Sequence, residues 1–289
     1  MFSIPWLFCF LSEKEYFMIG NNKRSRRTFE NIIFGTINTV LSKLVEKTNL
    51  SKKIFDFYGR ILPIPQTIVR GIPIKTIIPL NQVGIYNTIK NWEEREPEVL
   101  DWIDSFEEGC TFFDVGASFG TETLYAALKK DGPEKIVSFD LSLEASFSLA
   151  YNVSLNKINN VEQYFMALSD KIKLIRFSEP SNYNYVKGMD KYSFLSFNTI
   201  SISLDDFVRL TLLSPDYIKI DVDGAEQSII SGMSETIKNQ RLKSVVVEVS
   251  ETSEPFITRF FDKADFKIDF ERIFEGEETI YKNIIFTRR

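Results

Sequence analysis

Four acids stand at or next to the ends of short apolar runs: Asp114 after Phe112-Phe113, Asp140 after Phe139, Asp221 after Ile218-Lys219-Ile220 and Glu248 after Val245-Val246-Val247. A carboxylate in such a place can accept ribose hydroxyls, take up a proton, or ligate a hard cation. Between the first two acids, Gly116-Ala117-Ser118-Phe119-Gly120 has little side-chain bulk, so its backbone can come close to a nucleotide-like ligand. The chain has no histidine, which excludes His-based triads, His metal ligands and a His general base; a carboxylate or lysine must do any proton transfer. A strand-end acid can also simply cap the next helix, but four in register argue for a ligand site.

The elements that would carry these acids alternate. Strands are expected at Thr111 to Val115, Ile136 to Phe139, Val161 to Met166, Ile172 to Phe177, Thr199 to Ser203, Tyr217 to Ile220, Ser244 to Val249, Phe266 to Phe270 and Asn283 to Thr287. Helices are expected at Thr121 to Lys129, Leu143 to Asn156, from near Ala225, and at Phe256 to Lys263. This order predicts an α/β, Rossmann-like, doubly wound and mostly parallel seven-stranded sheet with an antiparallel last strand. Upstream, Trp92 to Phe106 reads as an amphipathic helix, Ile61 to Val83 as proline-interrupted edge strands, and residues 29–58 as a covering helix. The expected division is an N-terminal extension over 1–91 and a catalytic domain over 92–289.

With 289 residues, 44% hydrophobic and 26% charged, the chain has enough apolar material for a full core. A net charge of -5 offers no field for a phosphate backbone, so no nucleic acid partner is expected; Lys23 to Arg27 reads as a solvated face. Cys9 and Cys110 cannot make a disulfide framework, which fits a cytoplasmic setting, and Cys110 is expected to pack as a small apolar residue. Met1 to Leu11 is apolar but too short to span a bilayer, so no transmembrane segment is expected; it reads as a docking segment, a membrane-surface contact or a homo-oligomer interface.

A nicotinamide fingerprint needs glycine at the first, third and sixth turn positions, where this chain has Gly116, Ser118 and Thr121. The run Asp114-Val115-Gly116-Ala117-Ser118-Phe119-Gly120 instead resembles the Asp-x-Gly-x-Gly-x-Gly loop of class I S-adenosylmethionine-dependent methyltransferases. Further segments follow in the order seen in FkbM-type methyltransferases: Ser138-Phe139-Asp140, Ala167-Leu168-Ser169-Asp170, Ser203 to Phe207, Asp216 to Glu226 and Val245 to Glu248. The chain is identified as a member of that family over about residues 92–287. It differs from the usual pattern at Ser118 (Asn), Asp140-Leu141 (Glu-Pro) and Asp223 (Glu).

The resemblance implies S-adenosyl-L-methionine as cofactor, held by Asp114, Gly116, Ala117, Ser118, Gly120, Asp140, Leu141, Ala167, Leu168 and Asp221. It implies methyl transfer to a hydroxyl of a sugar, glycan or natural product. Asp221, Glu226 and Glu248 are the candidate catalytic groups, Asp221 for cofactor orientation or as base, the glutamates for positioning the acceptor. Asp221 and Glu248 could supply only part of a Mg²⁺ shell, and no metal is expected. The aromatic residues from Tyr183 to Phe197 suit a sugar-binding lid or mere loop packing. A nicotinamide oxidoreductase, disfavoured also by the lack of a Tyr-x-x-x-Lys pair in the expected helix, and a non-catalytic binding module are the competing readings.

Overall fold

The structure, a computed structural model, describes residues 66–77, 83–180, 194–275 and 280–289. The expected helix over 29–58, the basic cluster Lys23 to Arg27, the segment Met1 to Leu11, Cys9, and Tyr183, Tyr185 and Tyr192 lie outside the described residues. The described residues fall in one compact unit running from Ile64 to Arg289.

A hairpin of β1 (Gln66–Val69) and β2 (Ile72–Lys75) precedes three short helices, α1 (Val83–Lys90), α2 (Trp92–Arg95) and α3 (Pro97–Asp104). Trp92 to Phe106 is therefore two helices rather than the expected one. Pro97 bars Glu96 from helical backbone, and Glu96 sits at φ -136° and ψ 63° while Pro97 opens α3.

The alternating part begins with β3 (Thr111–Val115), α4 (Thr121–Leu128), β4 (Lys135–Asp140), α5 (Leu143–Leu155) and β5 (Val161–Phe165). It passes through β6 (Ala167–Ser169), β7 (Lys173–Pro180), β8 (Phe194–Ser203) and α6 (Leu204–Thr211). It ends with β9 (Tyr217–Ile220), α7 (Glu226–Ser231), β10 (Ser244–Ser250), α8 (Glu254–Lys263), β11 (Phe266–Glu275) and β12 (Ile280–Arg288). Seven strands form one sheet in the order β11-β12-β10-β9-β3-β4-β5. The pairs β10–β9, β9–β3, β3–β4 and β4–β5 are parallel, and β12 runs antiparallel to both β10 and β11. The doubly wound sheet with its antiparallel last strand is as expected.

Two cores cover the sheet, one per face. Phe113, Val115, Val137, Phe139, Ile218, Ile220 and Val247 belong to one; Phe112, Ile136, Tyr217, Val246 and Ile285 belong to the other with Trp102 and Phe106 of the N-terminal helices. Strand residues alternate between faces, so adjacent Phe112 and Phe113 serve different cores. Cys110 is buried at the foot of β3, in the second core.

The expected strand Val161 to Met166 stops at Phe165, and Ala167 opens β6 in a separate sheet of order β6-β8-β7. The central strands β3 and β9 are buried throughout, whereas β7 alternates exposed and half-buried residues, as a strand covered on one face does.

Candidate active site

The turn at the carboxyl ends of β3 and β4 is shaped by backbone. Gly116 at φ +85°, Ser118 at φ +50° and Gly120 at φ +99° bend the chain sharply between β3 and α4. The Gly116 and Ala117 N–H groups both donate to the Phe139 carbonyl, at 2.9 and 3.0 Å, and the Asp221 N–H donates to the Val115 carbonyl at 2.9 Å. These bonds fix the turn between β4 and β9. A Cβ on Gly116 would lie 1.7 Å from the Asp221 carbonyl oxygen, so only glycine fits there.

Asp140 reaches the same turn from β4. Its Oδ2 accepts the Ser118 N–H and its Oδ1 the Ser142 N–H, each at 2.7 Å, which holds a half-buried carboxylate against the glycine turn. Asp114 lies beneath the turn, fully buried; its Oδ2 accepts the Thr123 hydroxyl at 2.6 Å and its Oδ1 has no partner. Burial, only partly offset by Lys219, pushes the Asp114 carboxyl up to about 7.

The second half of the site is a charge cluster around Lys219. Lys219 pairs with Asp114 in the β3–β9 register, so both side chains project from the same face of the sheet. Its Nζ lies 2.8 Å from Asp221 Oδ2 and 3.8 Å from Glu122 Oε2 at the start of α4. Burial works against its charge, but Asp221, Glu122, Asp114 and Glu96 outweigh it and hold the ammonium well above the usual lysine range. Asp221 is the reciprocal case: burial opposes its ionisation, yet Lys219, Arg95 and a hydrogen bond with Glu248 hold it below the usual carboxylate range.

Asp221 and Glu248 come one step beyond the Ile220–Val247 pair of the parallel β9–β10 ladder, so they are neighbours at the strand ends. Burial first, and the Asp221 charge second, push Glu248 up to about 8. Glu96, at the α2–α3 junction, is pushed to about 7 by burial and by Glu122. The arrangement holds one ionised acid beside one protonated acid, a pair whose members differ enough to divide the work of charge and proton.

The structure thus brings Asp114, Gly116, Ala117, Ser118, Gly120, Asp140, Asp221 and Glu248 to one end of the sheet. Leu141 is half-buried at the end of β4. Ala167 and Leu168 are buried in β6, and Leu168 packs in the first core. Glu226 is also buried, and its Oε1 accepts the Gly224 N–H at 2.9 Å and the Val222 N–H at 3.4 Å, so it clasps the turn after β9. Other motif acids are scaffold: Asp205 accepts the Glu235 and Thr236 N–H groups, and Asp216 pairs with Arg241 while accepting the Thr111 N–H.

Sequence reasoning did not single out Lys219, Glu122, Glu96 or Arg95. A lysine between two isoleucines of a buried strand was the available signal for Lys219. Among the described residues, no group of three or more His, Cys, Asp or Glu is disposed to hold a metal ion, and no helix is long and apolar enough to cross a membrane.

The Methyltransferase FkbM domain matches residues 114–272, more than half of the 289-residue chain. The chain belongs to the FkbM methyltransferase family. That stretch runs from Asp114 to the middle of β11 and includes Asp140, Lys219, Asp221 and Glu248, whereas Arg95 and Glu96 lie upstream of it. Among solved structures, this family member is similar to methyltransferase FkbM from Methylobacillus flagellatus KT, at 12% identity over 62% of this chain and 44% of that one, with a TM-score of 0.45. It is similar also to ribosomal protein L11 methylase from Lactobacillus delbrueckii subsp. bulgaricus, at 15% identity over 66% and 76% of the chains and a TM-score of 0.42. A third is M. jannaschii TYW2 in complex with AdoMet, at 15% identity over 78% and 87% and a TM-score of 0.39. No curated protein matches the chain.

Proposed function

We propose that this FkbM-family methyltransferase uses S-adenosyl-L-methionine to methylate a hydroxyl on a small molecule such as a sugar or natural product, or on a glycan. The observation that carries the reading is the Asp221–Glu248 pair beside the glycine turn, with Lys219 holding Asp221 ionised and Glu248 raised to about 8. The residues suit the cofactor: the two glycines and Ser118 turn the Gly116 to Gly120 backbone sharply with little side-chain bulk of their own, as a methionine moiety would need, and the Asp140 carboxylate suits ribose hydroxyls. When bound, the cofactor supplies an electrophilic methyl group on a cationic sulfur.

The protein's task is to orient an acceptor oxygen and remove its proton as the oxygen loses electron density. Asp221 is a poor base because Lys219 lowers its proton affinity, so it serves as a fixed negative charge. Glu248, whose carboxyl titrates near the working pH, is the better proton acceptor and takes the acceptor's hydroxyl proton. Glu226 shapes the turn that carries Asp221 onward. Transfer should therefore increase as pH rises through about 8.

Calorimetry with S-adenosylhomocysteine and with NAD tests this reading. Binding of S-adenosylhomocysteine alone supports it; binding of NAD alone, or of neither, defeats it.

A further inference from the structure

Six carboxyl groups gather around Lys219 at this end of the sheet. They are Asp114 on β3, Glu122 on α4, Glu96 at the α2–α3 junction, Asp221 and Asp223 after β9, and Glu248 on β10; the cations facing them are Lys219 and Arg95. Lys219 is already engaged by Asp221 and Glu122. Five of these carboxylates are buried or half-buried and cannot all ionise against two cations, so the cluster must retain protons at neutral pH.

Two buried polar atoms here also lack a partner. One is Asp114 Oδ1; the other is the Trp92 indole Nε1. Trp92 lines, with Arg95, Glu96, Thr121 and Glu122, a cavity of about 10 Å³, the size of a single water. The site is short of positive charge, and it holds one donor and one acceptor that each lack a partner.

Resting on the cofactor reading above, we propose that this carboxyl surplus makes the site select a cationic ligand atom over a neutral one, exchanging carboxyl protons for the ligand's charge. The charged sulfonium cofactor is thereby preferred over the neutral thioether left after transfer. The exchange balances simply: a carboxyl O–H bond breaks, the proton passes to buffer, and the carboxylate formed is compensated by the sulfonium. Glu248 and Glu96 are the donors of that proton, since both are raised to within reach of neutral pH, at about 8 and about 7. After transfer the positive charge is gone, a proton returns, and the product is held less tightly.

The test is calorimetry of the full chain with S-adenosylmethionine and with S-adenosylhomocysteine, in phosphate and in Tris, whose protonation enthalpies differ. S-adenosylmethionine should release close to one more proton than S-adenosylhomocysteine. The affinity ratio of the two should rise up to about tenfold per pH unit between about pH 6 and 8 and then level off. In Glu248→Gln or Glu96→Gln, whichever retains wild-type circular dichroism, the rise should shrink. Equal proton release with a flat ratio would overturn the proposal while leaving the cofactor reading intact. A rise unchanged in both variants would overturn the assignment to these acids, and failure of both ligands to bind would remove the cofactor reading and this proposal together.

Discussion

The β3–α4 turn and the β9–β10 strand ends lie at one end of the sheet but are held by different forces. The turn is backbone: left-handed residues, N–H groups on the Phe139 carbonyl, and a glycine pressed against strand β9. The strand ends are side chain: a buried lysine shared among carboxylates that it only partly neutralises. Steric shape is indifferent to pH, whereas a charge cluster titrates. The turn should therefore respond to added atoms, and the strand ends to protons and to removal of charge.

The largest effect is expected at Gly116. Gly116→Ala places a carbon 1.7 Å from the Asp221 carbonyl, so β3 and β9 must part. A loss of at least about 5 kcal/mol, comparable with a whole domain's stability, should appear in urea unfolding. A wild-type midpoint would show that the turn is not held by this close approach.

Lys219→Met should come next. It strands Asp221 and Glu122 without their cation, at a cost of about 3–5 kcal/mol, and should raise the pH at which Asp221 titrates. Carboxyl carbon NMR would read the second effect. An unmoved Asp221 would mean that Lys219 does not control the pair.

The same cluster sets a pH dependence of stability. Glu96, Asp114 and Glu248 keep protons in the fold up to about 7, 7 and 8, while the unfolded chain loses them near pH 4. The folded state then binds more protons, so stability should fall as pH rises from about 4 to 8 and be flat above. Asp221, lowered in the fold, contributes the opposite slope only under more acid conditions. Thermal melts should show this decline, shallower in Glu248→Gln; a decline of equal slope in the variant would remove Glu248 from the cluster.

Ser118→Gly should do least. It relieves a left-handed serine at φ +50° but adds freedom to the unfolded chain, so the change should stay within about 1 kcal/mol, with the same pH slope as wild type. A changed slope would join the two regions in a way their contacts do not.

How far each region could be read in the residues follows from the same contrast. Gly116, Ser118 and Gly120 announce a turn because backbone conformation is a local property, and Asp140 announces itself by ending an apolar run. Lys219 lies within the Asp216 to Glu226 segment, yet its meaning needs the strand register that sets it beside Asp114. Glu96 and Glu122 read as a pre-proline residue and a first-turn acid; only tertiary packing brings them to Lys219. Glu226, expected near the acceptor, turns back on its own loop because two unpaired N–H groups lie within reach. The three-stranded side sheet was hidden for a similar reason, since alternation shows a half-covered strand without saying which sheet it joins.

The most direct measurement is a crystal structure of the full chain with S-adenosylhomocysteine. The account predicts the ribose hydroxyls on Asp140, the methionine part along Gly116 to Gly120, and the sulfur facing Glu248 and Asp221 across open space for an acceptor. A ligand bound elsewhere, or a sulfur turned away from both carboxylates, would contradict it.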